Sequence, residues 1–305
     1  ILIPCPHFRI YDRIVGSMPA PIHKVVFPIA GLGIRMLPAT KACPKELLPL
    51  VDRPIIQYGV EEAVRAGIPE VVFVTSPWNK QAAAHFGPNP ELEAMLTERG
   101  KTEVLTAVRA LSTMARVTTI NQPKPRGLGH AVLMAKAEVG NAPFGVMLPD
   151  DVIDADPPAL RQMIDVHDEL DGPVLLVERV PREQVGRYGV IVPEPVRPGV
   201  YRVCDLVEKP PPSQAPSDLA IIGRYLLTPD LFAALERTGE DASGEIQLTD
   251  GLRQLARERP LYACELKGVR HDVGNKLGYL QATLHFALKH QDLGPKLRKY
   301  LVSLK

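Results

Sequence analysis

Between Ala30 and Pro54 the chain reads AGLGIRMLPATKACPKELLPLVDRP. Gly31 and Gly33 come first, then Arg35, Lys41 and Lys45 are scattered among prolines, and an apolar pattern resumes only at Leu47. Glycine lets a backbone approach a ligand, and successive N–H groups in such a turn make an anion-binding nest. Cations beside that turn suit a polyanion, and a nucleoside triphosphate carries about four negative charges to be offset by fixed cations and a metal. A plain surface loop with solvated charges is the other reading, and spacing alone leaves both open. The third glycine of GxGxxG is replaced by Met36 and GxxxxGK[ST] is absent, so neither a dinucleotide fold nor a P-loop is supported.

Three further stretches carry chemistry-bearing residues. Asp150 and Asp151 stand where an apolar run ends, placed to hold Mg²⁺ against substrate phosphates; Asp272, in RHDVGNKLGY, is a candidate second ligand. The alternative for such an aspartate is a turn or helix cap. QPKPRGLGH, Gln122 to His130, is a second glycine turn. The Gln122 amide both donates and accepts, so it can read the edge of a base, or it can satisfy nearby backbone. Gly127 and Gly129 can equally serve helix entry. Glu208-Lys209-Pro210 pairs a carboxylate suited to sugar hydroxyls with a lysine suited to phosphate, or is an exposed pair before a turn.

The elements that must position these residues alternate. KVVFPIA (24–30), EVVFVTS (70–76), ARVTTINQ (115–122) and APFGVMLPDD (142–151) read as buried strands. PIIQYGVEEAVRAG (54–67), NPELEAMLTERG (89–100) and GHAVLMAKAEV read as helices between them. Such alternation predicts a mostly parallel sheet with helices on both faces, and ligands then bind beyond the carboxyl ends of the strands. The second half changes character: strands 172–180, 188–195, 201–210 and 219–227 follow with few helices between, as sheet extensions over a site. The end is helical, with a break expected at Gly294-Pro295.

With 305 residues and 45% hydrophobic content the chain can bury a sizeable core as one compact unit. Its net charge of +1 offers no global attraction to nucleic acid or an anionic membrane, so any anion site is local. Cys5, Cys43, Cys204 and Cys264 form no CxxC pair, which reads as reduced thiols in a cytoplasmic protein. No apolar run approaches the ~18 residues of a membrane helix. Residues 1–23 are expected to be a leader without an assigned fold, with Met18 a candidate natural start.

In combination, and in this order, AGLGIRMLPATKACPKELLPLVDRPIIQY, QPKPRGLGHAV, LPDD, YGVI, VEKP, IIGRY, GEIQLTD and HDVGNKLGY resemble the bacterial UTP–glucose-1-phosphate uridylyltransferases, or UDP-glucose pyrophosphorylases, of the sugar-nucleotidyltransferase family. The resemblance runs over about residues 24–290. It implies a Rossmann-like α/β nucleotidyltransferase fold over 24–290, with a mixed, mostly parallel central sheet, added strands over the sugar site, and a helical tail at 291–305. It implies the conversion of UTP and α-D-glucose 1-phosphate to UDP-glucose and pyrophosphate with Mg²⁺. By position, Ala30, Gly31 and Gly33 fall on the nucleotide loop, and Gln122 and Gly127 on the uracil edge. Arg35 and Lys45 match the triphosphate-binding cations, and Asp150 and Asp272 the metal-binding carboxylates. Gly189, Glu208 and Gly223 match the sugar pocket, with Lys209 on its phosphate; Glu46 and Asp151 are supporting candidates.

One departure is Ile34, where the family usually has Thr. A hydroxyl contact available to Thr is lost there, and some bacteria carry a poorly active regulatory paralogue altered in this same loop. Two other readings therefore stand beside the first. One is a nucleotidyltransferase for dTTP or another sugar 1-phosphate; the other is a regulatory chain that binds an active partner. The resemblance also implies a homodimer or homotetramer, with the amphipathic C-terminal segment as a contact, which light scattering tests.

Overall fold

The computed structural model describes residues 20–77 and 79–304. The expected leader therefore lies almost wholly outside the described residues; of its last residues, Ile22 packs against the core. Four parallel strands form one half of a nine-stranded mixed sheet, in the order Arg116–Asn121, Glu70–Thr75, Lys24–Ile29, Phe144–Met147. Leu219–Leu227 runs antiparallel beside Phe144–Met147 and opens the second half. Val174–Arg179, Tyr262–Glu265, Val200–Glu208 and Gly189–Arg197 follow in that order. The last strand curls back to touch Leu219–Leu227, with Val190 opposite Ala220.

Both faces of the central strands are covered, which is why those strands are continuous apolar runs; Arg116–Asn121, expected to be buried, is instead a largely exposed edge strand, in keeping with its polar residues. Successive residues point to opposite faces. Val26, Val72 and Val146 pack on one side with Val132 and Leu252 of the helices Leu128–Met134 and Leu248–Glu258. Val25, Phe27, Val71 and Phe73 pack on the other with Ile56 and Val60 of Ile55–Arg65 and Met163 of Ala159–Leu170. Gly59 lets Ile55–Arg65 lie close to the sheet, since a Cβ there would stand 2.8 Å from the Phe27 ring.

Several elements differ from their expected form. The run expected as one strand to residue 151 ends at Met147; after a turn, Asp151–Asp154 forms a separate antiparallel pair with Val269–Asp272. Helices Thr102–Met114 and Ala159–Leu170 lie where no element was assigned. In the C-terminal helices the break falls at 290–293, and Gly294-Pro295 opens the second helix, because proline at a first turn has no N–H to leave unpaired. Cys204 is disulfide-bonded while Cys43 and Cys264 are free, against the expectation of four reduced thiols; separation along the chain does not measure separation in space.

The turn after Met147 is gripped from beneath. Arg224 is 1% exposed, and its Nη2 donates to Glu62 Oε2 at 2.8 Å and to the Asp151 carbonyl at 2.9 Å. Its Nη1 donates to the carbonyls of Leu148 and Gly223 at 3.1 and 3.0 Å. Glu62 also accepts from Leu160 N–H at 3.2 Å. Removing one member of a buried pair strands the other charge, at a cost of about 3–5 kcal/mol. Arg224→Met should therefore lower the unfolding free energy in urea by about that amount. A loss below about 1 kcal/mol would mean that the pair does not hold the turn.

Candidate active site

The loops that leave the parallel strands lie beyond their carboxyl ends. The first begins at Ala30, which is buried. Gly33 takes φ 62°, and a Cβ there would stand 3.1 Å from Lys45 Cβ, so the loop closes tightly on itself. Thr40 Oγ1 donates to the Gly33 carbonyl at 2.9 Å and pins the closure. Arg35 and Lys45 lie on short 3-10 turns, Ile34–Met36 and Lys45–Leu47. Glu46 is 1% exposed beneath them and accepts from Asn79 Nδ2; burial pushes its carboxyl above the ordinary range. Ile34 is 67% exposed and lines a 190 Å³ pocket with Arg35, Lys45 and Gly274. Position 34 thus lies on the open side of the loop and not in the core.

Asp150 stands at the centre of the arrangement. Lys45 Nζ donates to its Oδ2 at 2.7 Å, and Arg35 Nη2 lies 3.9 Å from the same oxygen. Burial pushes the Asp150 carboxyl up, but the Lys45 charge and hydrogen bond outweigh it, so its pKa falls below the ordinary value. The same pairing raises Lys45 against the downward pull of its burial. Asp272 arrives from a distant part of the chain through the strand pair Asp151–Asp154 with Val269–Asp272. Its Oδ1 accepts Gly274 N–H at 3.0 Å and its Oδ2 accepts Arg187 Nη2 at 2.5 Å. A Cβ on Gly274 would stand 3.1 Å from both Asp150 Oδ2 and Asp272 Oδ1, so these oxygens lie within about 6 Å of each other.

Asp151 has a different setting. It is buried, accepting Gly223 N–H at 3.0 Å on Oδ2 and Arg270 Nε at 2.5 Å on Oδ1. Burial is the largest influence and pushes its carboxyl up. It holds the frame: a Cβ on Gly223 would stand 2.6 Å from Asp151 Oδ2, which only glycine permits without a shift. Arg270 in turn lies over the Tyr188 ring at 5.0 Å.

A cleft of about 510 Å³ brings together Arg35, Asp150, Gly189, Glu208, Lys209, Gly223 and Asp272. Lys209 Nζ lies 2.9 Å from Glu208 Oε1, and Thr249 Oγ1 donates to Glu208 Oε2 at 2.6 Å. Lys209 itself takes a left-handed backbone, φ 45°. The cleft lining reaches Leu128 but neither Gln122 nor Gly127. Gln122 is 3% exposed, with Nε2 2.7 Å from His130 Nδ1, and burial lowers the His130 pKa so that a neutral ring accepts that hydrogen. Gly127 takes φ 91°, and a Cβ on it would meet the Ile246 carbonyl at 2.7 Å, so close packing already requires glycine there. Gly31 opens on an adjoining 240 Å³ pocket with Ser76 and Asn79.

Arg187, Thr249 and Arg270 line the cleft without having been singled out from sequence. One signal was available for Arg270: in a strand, residues two apart share a face, and Arg270 precedes Asp272 by two.

The model of the nucleotidyl transferase family matches residues 27–288. Over 283 residues the chain is 45% identical to the UTP–glucose-1-phosphate uridylyltransferase of Bacillus subtilis, covering 93% of this chain and 97% of that one. Among solved structures, a UTP-bound UGPase from Acinetobacter baumannii superposes with a TM-score of 0.87 at 38% identity, over 93% of this chain and all of that one. A UDP-glucose pyrophosphorylase complexed with UDP-glucose does so at 0.81 and 39%, over 88% of this chain and 100% of the other. The matched region runs through every strand end that carries the cleft, and with it the chain belongs to the nucleotidyl transferase family, among the UTP–glucose-1-phosphate uridylyltransferases.

Proposed function

We propose that this chain transfers UMP from UTP to α-D-glucose 1-phosphate, giving UDP-glucose and pyrophosphate. The observation that carries the reading is the meeting of two carboxylates, Asp150 and Asp272, with Arg35 and Lys209 around one cleft, and with Lys45 bonded to Asp150 from the adjoining pocket. An oxygen of the sugar phosphate attacks the α-phosphorus as the bond to the bridging oxygen of pyrophosphate breaks. The nucleophile is already anionic, so the site needs no strong general base. Its task is to bring two polyanions together and to stabilise the charge that collects on the leaving pyrophosphate.

The roles are those that the family resemblance gives to these residues. Arg35 and Lys45 face the triphosphate and hold the pyrophosphate charge. Lys209 holds the sugar phosphate, and Glu208, fixed by Thr249, accepts from glucose hydroxyls between Gly189 and Gly223. Ala30, Gly31 and Gly33 bring backbone to the nucleotide, with Gln122 and Gly127 on its base side. Among the described residues no group of three or more His, Cys, Asp or Glu could hold a metal ion alone. Two converging carboxylates still fit Mg²⁺, which usually takes one or two from the protein and completes its shell with phosphates and water. Asp150 and Asp272 would hold it; when bound it supplies charge neutralisation at the phosphates.

Pyrophosphate release by the purified chain tests the assignment. UTP with glucose 1-phosphate should outrun dTTP, and should outrun galactose 1-phosphate as acceptor, by about tenfold or more in kcat/KM, since sites that pair sugar or base polar groups reject mismatches strongly. Faster turnover with dTTP or another sugar phosphate would move the chain to the second reading. No release with any pair would favour the regulatory chain.

A further inference from the structure

Arg187 has no part in the roles above, yet it reaches into the same cleft as Lys209 and Asp272. It ends the 3-10 segment Arg182–Arg187, just before the strand Gly189–Arg197. Lys209 N–H donates to the Tyr188 carbonyl at 3.0 Å, so Arg187 and Lys209 issue from adjoining stretches of backbone. Its guanidinium is half exposed and bonds Asp272 Oδ2, the oxygen not taken by Gly274 N–H. A divalent cation and a guanidinium at that oxygen repel and displace each other.

The charges of the cleft also need it. UTP and a sugar phosphate bring about six negative charges. Against them stand Arg35, Lys45, Lys209 and one divalent cation, Arg270 being taken up by Asp151, while Asp150, Asp272 and Glu208 add three more negative charges of their own. A further cation lining the same cleft as Lys209, on a long flexible stem, has an evident counter-ion in the sugar phosphate. A guanidinium also presents paired donors that match phosphate oxygens.

We propose that Arg187 is a phosphate-binding residue that exchanges partners: a divalent cation at Asp272 releases it, and it then binds the phosphate of the sugar 1-phosphate beside Lys209. The metal and the second substrate are thereby coupled, because the metal frees a donor that the sugar phosphate uses. The exchange deepens the uridylyltransfer reading and rests on it.

Mn²⁺ binding to the chain without nucleotide, followed by the signal of the free ion in electron paramagnetic resonance, gives a readout separate from turnover. Arg187→Ala should bind Mn²⁺ about three- to tenfold more tightly than wild type, because the competing cation is gone. In steady-state assays the same variant should raise KM for glucose 1-phosphate by about tenfold or more and leave KM for UTP within about twofold. Arg187→Lys should recover part of the glucose 1-phosphate affinity. Unchanged or weaker Mn²⁺ binding in Arg187→Ala, or an unchanged KM for glucose 1-phosphate, overturns the exchange. Failure of the underlying reading looks different: wild type itself would bind no Mn²⁺ and release no pyrophosphate.

Discussion

Asp150→Asn should lower kcat/KM for pyrophosphate release by about 10³-fold while the chain stays folded. The substitution keeps the shape of the side chain and an oxygen to accept from Lys45, and removes only the negative charge. That charge has two tasks. It is one of the two carboxylates that converge within reach of a single ion. It also holds Lys45 protonated: burial pulls the Lys45 ammonium toward neutrality, and the Asp150 charge is the largest influence opposing it. In the other direction, Lys45 keeps Asp150 ionised below its ordinary pKa despite burial, so the carboxylate is charged throughout the neutral range. One substitution thus weakens the metal site and the triphosphate cation together. Mn²⁺ binding should fall with turnover, and the urea midpoint separates both effects from unfolding. Activity within about tenfold of wild type would remove Asp150 from the metal site.

How much of this was legible in the sequence depended on distance along the chain. The strand exits were readable because they are local: an apolar run such as KVVFPI stops, and glycine follows. The left-handed turn at Gly33 answers directly to its residue type. Asp150 could be placed at a strand end, although the strand stops at Met147, short of the expected residue 151, and Asp151 opens another. Asp272 is different. Its residue type made it a candidate second ligand and the family resemblance supported that, but nothing local in RHDVGN marks it as the neighbour of Asp150; that nearness comes from antiparallel pairing with a segment more than a hundred residues away. Arg187 escaped for the same reason, since an arginine at the end of a short turn looks like any solvated cation until Asp272 stands beside it. Gly127 illustrates the converse: its turn was legible, but the packing against Ile246 that demands glycine was not.

Lys209→Ala should lower kcat/KM by about 10²- to 10³-fold with little effect on stability. The ammonium meets Glu208 at 2.9 Å, but Glu208 keeps Thr249 on its other oxygen, so removing the lysine leaves no buried acceptor unpaired. The backbone points the same way. A left-handed conformation at a residue other than glycine costs on the order of 1 kcal/mol and persists only where its surroundings impose it. Here Lys209 N–H is bonded to the Tyr188 carbonyl, which ties this turn to the segment carrying Arg187 and Gly189. Alanine would suffer the same strain as lysine, so the alanine variant reports the loss of the ammonium alone. Lys209→Gly separates strain from chemistry: relief of the strain and the extra freedom glycine gives the unfolded chain oppose each other, leaving stability within about 1 kcal/mol of wild type. Its turnover should nevertheless fall as far as that of Lys209→Ala. KM for UTP should hardly move in either variant, because the lysine acts on the other substrate. Near-normal turnover in the alanine variant would show that the charge on the sugar phosphate is met elsewhere in the cleft, with Arg187 the first place to look.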